Sequence, residues 1–260
     1  MTLKNFFLPF FVLILLSGCH QYKNVTYFYN LQPDKADTFF RKIIVPYKVQ
    51  PADILYITIH SLDERVSALF NKESTALSSN SMIMSGMYIL GNSINPEGNI
   101  ILPVIGTIPV AGSTVPEIQK KLSVILLKLI PDAQVEVKLV SFKISVIGEV
   151  RNPGYFTILN DRANIIEALA LAGDITYNGN KTQMVLMRSY ETGTKIFAID
   201  LTDKNLINSD KFYLQPNDIV YIKPLRSTIL RIRVSDYSVL ISAITASMTV
   251  FLLLRSLKLF

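Results

Sequence analysis

Cysteine occurs once in this chain, at Cys19, histidine twice, at His20 and His60, and tryptophan not at all. One cysteine excludes an intrachain disulfide. His60 has no second His or Cys at ligand spacing, which argues against a metal site. No glycine-rich dinucleotide motif, P-loop or G-x-S-x-G elbow occurs. Asp63 and Glu64 are neighbours, but on a stretch that reads as loop, where solvated charge outweighs catalysis. The basic excess is mild, +6 at pH 7, and no basic run interleaved with aromatics marks a nucleic-acid groove. Half of the 260 residues are hydrophobic, too many for a disordered chain. Pro, Gly and Asn interrupt them too often for a polytopic membrane protein. The length allows one large domain or two modest ones.

The apolar excess lies mainly at the two ends. Lys4 supplies a basic start, and Phe6 to Leu16 form an apolar stretch too short to span a bilayer of about 30 Å. Leu16-Ser17-Gly18-Cys19 follows and resembles the lipobox of bacterial lipoproteins. Small residues before the cysteine suit a signal peptidase, and the thiol becomes the lipid attachment point. Lipidation would also consume a thiol that is a hazard in an oxidising compartment. At the other end, Tyr237 to Leu254 carry no charged residue. At about 1.5 Å rise per residue they extend about 27 Å, which predicts a transmembrane helix flanked by Arg233, Asp236, Arg255 and Lys258. Ser238, Ser242, Thr245 and Thr249 are spaced 4, 3 and 4. On a helix this makes one hydroxyl stripe, fit for close helix packing or for a wet lumen.

Between the ends the pattern predicts two α+β units. Residues 20–43 read as an extended lead-in. Tyr47 to Leu55 read as a strand, a turn at Pro51-Ala52-Asp53, and the start of a strand that alternates Leu55, Ile57 and Ile59 against Tyr56, Thr58 and His60. Residues 63–93, rich in Ser, Asn and Met, predict a long loop or insertion. Asn95 to Gly98 mark a turn. Thr114 predicts an N-cap for a helix with Ile118, Leu122, Ile125, Leu126 and Leu129 inward, stopped by Pro131. Val135, Val137 and Leu139 form a closing strand. The second unit predicts a strand at 142–150, a turn at Asn152-Pro153-Gly154, and a short helix at 164–172 with Ile165, Ile166, Leu169 and Ala170 inward. Gly173 caps that helix, and strands follow at 184–188, 195–201 and 219–222. Four strands with one helix predict a β-grasp-like module.

The ordered set of motifs carries a resemblance. Tyr47 to Leu55 resembles the Y-x-I-x-P-G-D-x-L opening of the polysaccharide biosynthesis/export domain, with Ala52 where Gly is usual. That departure argues against a left-handed backbone at position 52. Asn95 to Ile100, Pro103 to Gly106 and Val110-Ala111-Gly112 look like later elements of the same domain. Gly148-Glu149-Val150, Pro153-Gly154-Tyr155, Ala172-Gly173 and Pro216 to Tyr221 resemble the soluble-ligand-binding β-grasp domain. The expected organisation is a lipoprotein signal peptide (1–18), a lipid-anchored lead-in (19–43), an export domain (44–140), a β-grasp domain (141–224) and a C-terminal transmembrane helix (237–256).

The resemblance implies a non-enzymatic outer-membrane export channel or channel component for capsular polysaccharide or exopolysaccharide, with its main domains in the periplasm and no cofactor. It implies a ring-shaped homo-oligomer such as an octamer, and an inner-membrane polysaccharide co-polymerase or tyrosine kinase as partner. In that setting Ser238, Ser242, Thr245 and Thr249 would face a lumen or neighbouring helices. One alternative is a periplasmic glycan-binding lipoprotein, favoured if Tyr155, Tyr177, Tyr213 or Tyr221 line an open groove. An envelope enzyme acting on glycans is a weaker alternative.

Overall fold

A computed structural model describes residues 26–31, 39–41, 43–63, 65, 67, 70–71, 88–190 and 192–256, and at 229–241 only the helical backbone. Cys19 and the whole signal segment lie outside the described residues, as does most of the predicted 63–93 insertion.

The described chain is mixed α+β, with two hydrophobic cores. In the first unit β1 (Ile54–His60) lies between β2 (Asn92–Ser93) and β5 (Gln134–Leu139), antiparallel to both. The predicted alternation holds: Leu55, Ile57 and Ile59 are buried and His60 is exposed. β3 (Asn99–Leu102) and β4 (Gly106–Pro109) form a hairpin. Helix α1 (Val115–Leu126) starts as predicted. The Thr114 hydroxyl accepts from the Glu117 amide, and the Glu117 carboxylate accepts from the Thr114 amide at 2.8 Å. This capping box satisfies two otherwise free donors. Ile118, Leu122 and Leu126 are fully buried, each contributing about 1.5–3 kcal/mol by leaving water. The helix ends at Leu126, earlier than Pro131 implied. Leu129 is therefore exposed, and Ile130 takes the buried place.

The second unit is a five-stranded sheet in the order β10-β9-β12-β6-β7, formed by β6 (Lys143–Gly148), β7 (Gly154–Thr157), β9 (Gly179–Tyr190), β10 (Gly193–Ile199) and β12 (Ile219–Pro224). Only β6 and β12 run parallel; the other pairs are antiparallel. β8 (Ala163–Asn164) and β11 (Tyr213–Leu214) make a separate two-stranded pair. Helix α2 (Ile165–Leu171) begins with a second capping box, between Asn164 and Glu167, and buries Ile165, Ala168 and Leu169. Its inward face is thus turned from the predicted one, with Ala168 buried and Ala170 exposed. Gly173 follows in the left-handed conformation, φ +75°, the usual helix stop.

Three expectations need correction. First, the lead-in is not extended throughout: Tyr27–Asn30 form a turn, with Phe28 at φ +48°. Second, Ala52 is left-handed, φ +72°, although it carries a Cβ. Third, the C-terminal segment is one helix, α3 (Arg226–Ser256), but it is not a transmembrane helix. Among the described residues no helix is long and apolar enough to cross a membrane. Arg226, Arg231, Arg233 and Asp236 stand in the first half of α3. Ser242, Thr245, Ser247 and Thr249 interrupt the apolar run of its second half, and Arg255 closes it.

Candidate functional site

The most elaborate polar structure lies where the two units meet. It is built from one turn used twice. Gln50-Pro51-Ala52-Asp53-Ile54-Leu55-Tyr56-Ile57 and Gln215-Pro216-Asn217-Asp218-Ile219-Val220-Tyr221-Ile222 are identical at six of eight positions. Each turn closes with the Asp amide donating to the Gln carbonyl, at 3.1 Å in both. Proline supplies the first central residue. The second is left-handed in both, Ala52 at φ +72° and Asn217 at φ +65°, the geometry of a type II turn. The Gln amide then donates to the Asp Oδ2, at 2.9 Å in the first turn and 2.8 Å in the second. Each turn feeds a strand paired on both sides, β1 or β12.

Both aspartates are buried, and their remaining partners differ. Asp53 accepts from the Tyr47 hydroxyl at 2.7 Å and from the Ser141 hydroxyl at 3.1 Å. Burial, and then the Asp53 carboxylate, push the Tyr47 phenol well above its ordinary value. Asp218 instead takes a forked contact from Arg188. Nε donates to Oδ1 at 2.9 Å and Nη2 to Oδ2 at 2.7 Å, while Nη2 also reaches the Tyr213 carbonyl at 3.1 Å. Burial raises the Asp218 carboxyl, and its bonds to Arg188 pull it back. The connecting segment 140–145 is gripped by both turns. Val140 donates to the Ile54 carbonyl at 3.0 Å and the Ile54 amide to Ser141 Oγ at 3.1 Å. Farther on, Asn217 donates to the Lys143 carbonyl at 2.7 Å and Ser145 to that of Asp218 at 3.0 Å. Leu139 packs against both cores. This arrangement fixes a junction.

A second feature is the lead-in, which crosses to the second unit. The Tyr27 hydroxyl donates to Asp174 Oδ1, and Phe28 donates to the Leu201 carbonyl at 3.1 Å. Asn30 donates to Asp203 Oδ1 at 2.9 Å and accepts from the Lys204 amide at 2.7 Å. Lys181 Nζ sits 3.9 Å from the Tyr27 ring centroid, and Tyr27 and Phe28 pack on the second core.

Of the sequence-predicted site residues, Cys19 and the side chain of Ser238 lie outside the described residues. Ser242, Thr245 and Thr249 are exposed on α3. The hydroxyls of the two threonines turn back on their own helix: Thr245 donates to the Ser242 carbonyl at 2.9 Å and Thr249 to that of Thr245 at 2.7 Å. These two threonines can therefore meet an apolar neighbour without stranding a donor. Among the aromatics, Tyr155 and Tyr177 are exposed, at 77% and 95%, whereas Tyr213 and Tyr221 are half-buried. Among the described residues no group of His, Cys, Asp and Glu is arranged to hold a metal ion. The repeated turn escaped the sequence reading, although both copies were in view. Aligning the chain with itself finds it.

Comparison with known proteins agrees with these motifs. Residues 44–140 match the polysaccharide biosynthesis/export protein model, and residues 142–222 match the SLBB domain model. Together the two matches support the polysaccharide biosynthesis/export protein family for this chain. It is similar to the EPS I polysaccharide export outer membrane protein EpsA of Ralstonia nicotianae, 29% identical over 185 residues that cover 68% of this chain and 47% of the relative. It is also similar to the protein of the same name from Ralstonia solanacearum, 26% identical over 186 residues, 69% of this chain and 48% of the relative. The chain thus spans about half the length of the curated relatives it matches.

Proposed function

We propose that this chain is a non-enzymatic component of a bacterial outer-membrane polysaccharide export channel. The observation that carries the reading is the ordered pair of domain matches, 44–140 then 142–222, together with similarity to relatives named as polysaccharide export outer membrane proteins. In this reading Cys19 is lipidated and holds the chain at the outer membrane, with both α+β units in the periplasm. The subunits assemble as a homo-oligomeric ring, and an inner-membrane polysaccharide co-polymerase or tyrosine kinase delivers the polymer. Ser238, Ser242, Thr245 and Thr249 form the face through which α3 packs on neighbouring helices. Small side chains with internally satisfied hydroxyls support that role.

Deleting the gene in its bacterium is the test. The expected result is loss of surface polysaccharide, restored by the wild-type gene and not by Cys19→Ser. Unchanged surface polysaccharide in the deletion strain refutes the reading. Intact mass of the purified protein tests the anchor separately, since a mature chain beginning anywhere but at a lipidated Cys19 removes it.

A further inference from the structure

The five-stranded sheet has one face on the second core. Its other face is open at both edges: Tyr155 on β7 is 77% exposed and Ile196 on β10 is 69% exposed. Strand register lines up a row between them. Tyr155 lies opposite Ser145, Ser145 opposite Ile219, Ile219 opposite Met187, and Met187 opposite Ile196. In the next row Tyr221 lies between Ile147 and Val185. Side chains alternate along strands. Ile144, Val146, Val220 and Leu186 point into the core, so both rows point away from it.

Tyr155 and Tyr221 are two strands apart and one row apart, about 12 Å on strand spacing and rise. A short stretch of glycan covers that span. Gly148 lies beside the second ring: a Cβ there would stand 2.1 Å from the Ile222 carbonyl oxygen and 2.8 Å from a Tyr221 ring carbon. The glycine therefore leaves the space in which the ring lies. The charge on this face has one sign. Lys143 on β6 and Lys223 on β12 are exposed and share the outward alternation. Among the described residues of these five strands, no outward-facing position is Asp or Glu.

We propose that this sheet face docks an acidic polysaccharide. The apolar faces of its sugar rings stack on Tyr155 and Tyr221, and its carboxylates meet Lys143 and Lys223. The proposal rests on the export reading above and adds the class of polymer and the surface that meets it.

The test uses the full-length protein in detergent, titrated calorimetrically with alginate oligosaccharides, an acidic polyuronate, and with dextran oligosaccharides, a neutral glucan. Alginate is expected to bind saturably, with a Kd at least about tenfold below that for dextran. Tyr155→Ala should weaken alginate binding about tenfold. Lys143→Gln combined with Lys223→Gln should abolish both the preference for alginate and its salt dependence. These side chains are exposed, and an unchanged far-UV spectrum confirms folding. No saturable alginate binding, equal binding of dextran, or no effect of Tyr155→Ala overturns the proposal. So does a Tyr155→Ala protein whose oligomer mass changes while alginate binding does not, because the face is then a contact between copies of the chain. Loss of surface polysaccharide in the deletion strain together with failed alginate binding leaves export standing and removes only this proposal.

Discussion

Ala52→Gly should make the protein more stable, which is unusual for a substitution that removes a carbon and fills nothing. Ala52 sits at φ +72° in an exposed turn, and its amide donates to the Ile94 carbonyl at 2.9 Å. An L-residue in the left-handed region costs about 1–2 kcal/mol. Glycine removes that cost but loses more freedom on folding, by about 0.5–1 kcal/mol. The net gain is about 0.5–1 kcal/mol, enough to raise a urea midpoint by a few tenths of a molar. The second copy of the turn is an internal control. Asn217, at φ +65°, belongs to a residue type that tolerates this conformation. Asn217→Gly should be close to neutral, and Asn217→Ala should cost about 1 kcal/mol. The assay is equilibrium urea unfolding of all three variants, followed by far-UV circular dichroism. A lower midpoint for Ala52→Gly, or an Asn217→Ala protein as stable as wild type, refutes the backbone argument.

Arg188→Met leaves the fully buried Asp218 without its forked partner and should destabilise by about 3–5 kcal/mol. Adding Asp218→Leu should recover part of that loss, and urea midpoints check both. Asp53→Ala strands the Tyr47 hydroxyl, the Gln50 amide and the Ser141 hydroxyl, and should cost about 2–4 kcal/mol. Trypsin cutting between the two units should accelerate as well, since the same carboxylate holds the connector. Asp203 is held below the ordinary carboxylate range, first by the Asn205 amide and then by Asn30. Its contribution is complete above the unfolded value of about 4 and is lost as pH falls through the folded value. Hydrogen exchange of the Lys204 amide, which Asn30 engages, should therefore speed up as pH falls below about 4 relative to an Asp203→Asn control, where no such step is expected.

Local rules made the strands and caps legible. Leu55, Ile57 and Ile59 declared β1 by period two, and Thr114 with Glu117 declared the start of α1. Ranges that depend on tertiary contacts were not legible. Nothing local distinguishes Ala168 from Ala170, yet one is buried and the other exposed. Pro131 forbids helix beyond itself but does not say where the last hydrogen bond forms, so Leu129 was placed inward while Ile130 is the buried residue. Ala52 misled because propensity opposes a left-handed alanine. The turn is fixed instead by Pro51, by the buried Asp53 carboxylate and by the Ile94 carbonyl, three constraints that together outweigh about 1–2 kcal/mol. The C-terminal run misled for another reason. Hydropathy and spacing describe a helix, and α3 is one, but charged residues in its first half and hydroxyls in its second keep it from being apolar enough for a span. The docking of Tyr27 and Phe28 could not be read at all, because their partners lie 147 or more residues away.

That docking fixes the route of mechanical load through the chain. A pull applied upstream of residue 26 reaches Tyr27, Phe28 and Asn30 before it reaches the first unit, and these residues are fastened to Asp174, Leu201, Asp203 and Lys204. Tension therefore enters the second unit, although the first unit comes next in sequence. As long as those bonds hold, β1 and its neighbours stay unloaded. Once they fail, the slack is taken up and the force arrives at the turn around Asp53. The polypeptide thus has a breakaway fastening ahead of its first unit, which must let go before that unit bears load.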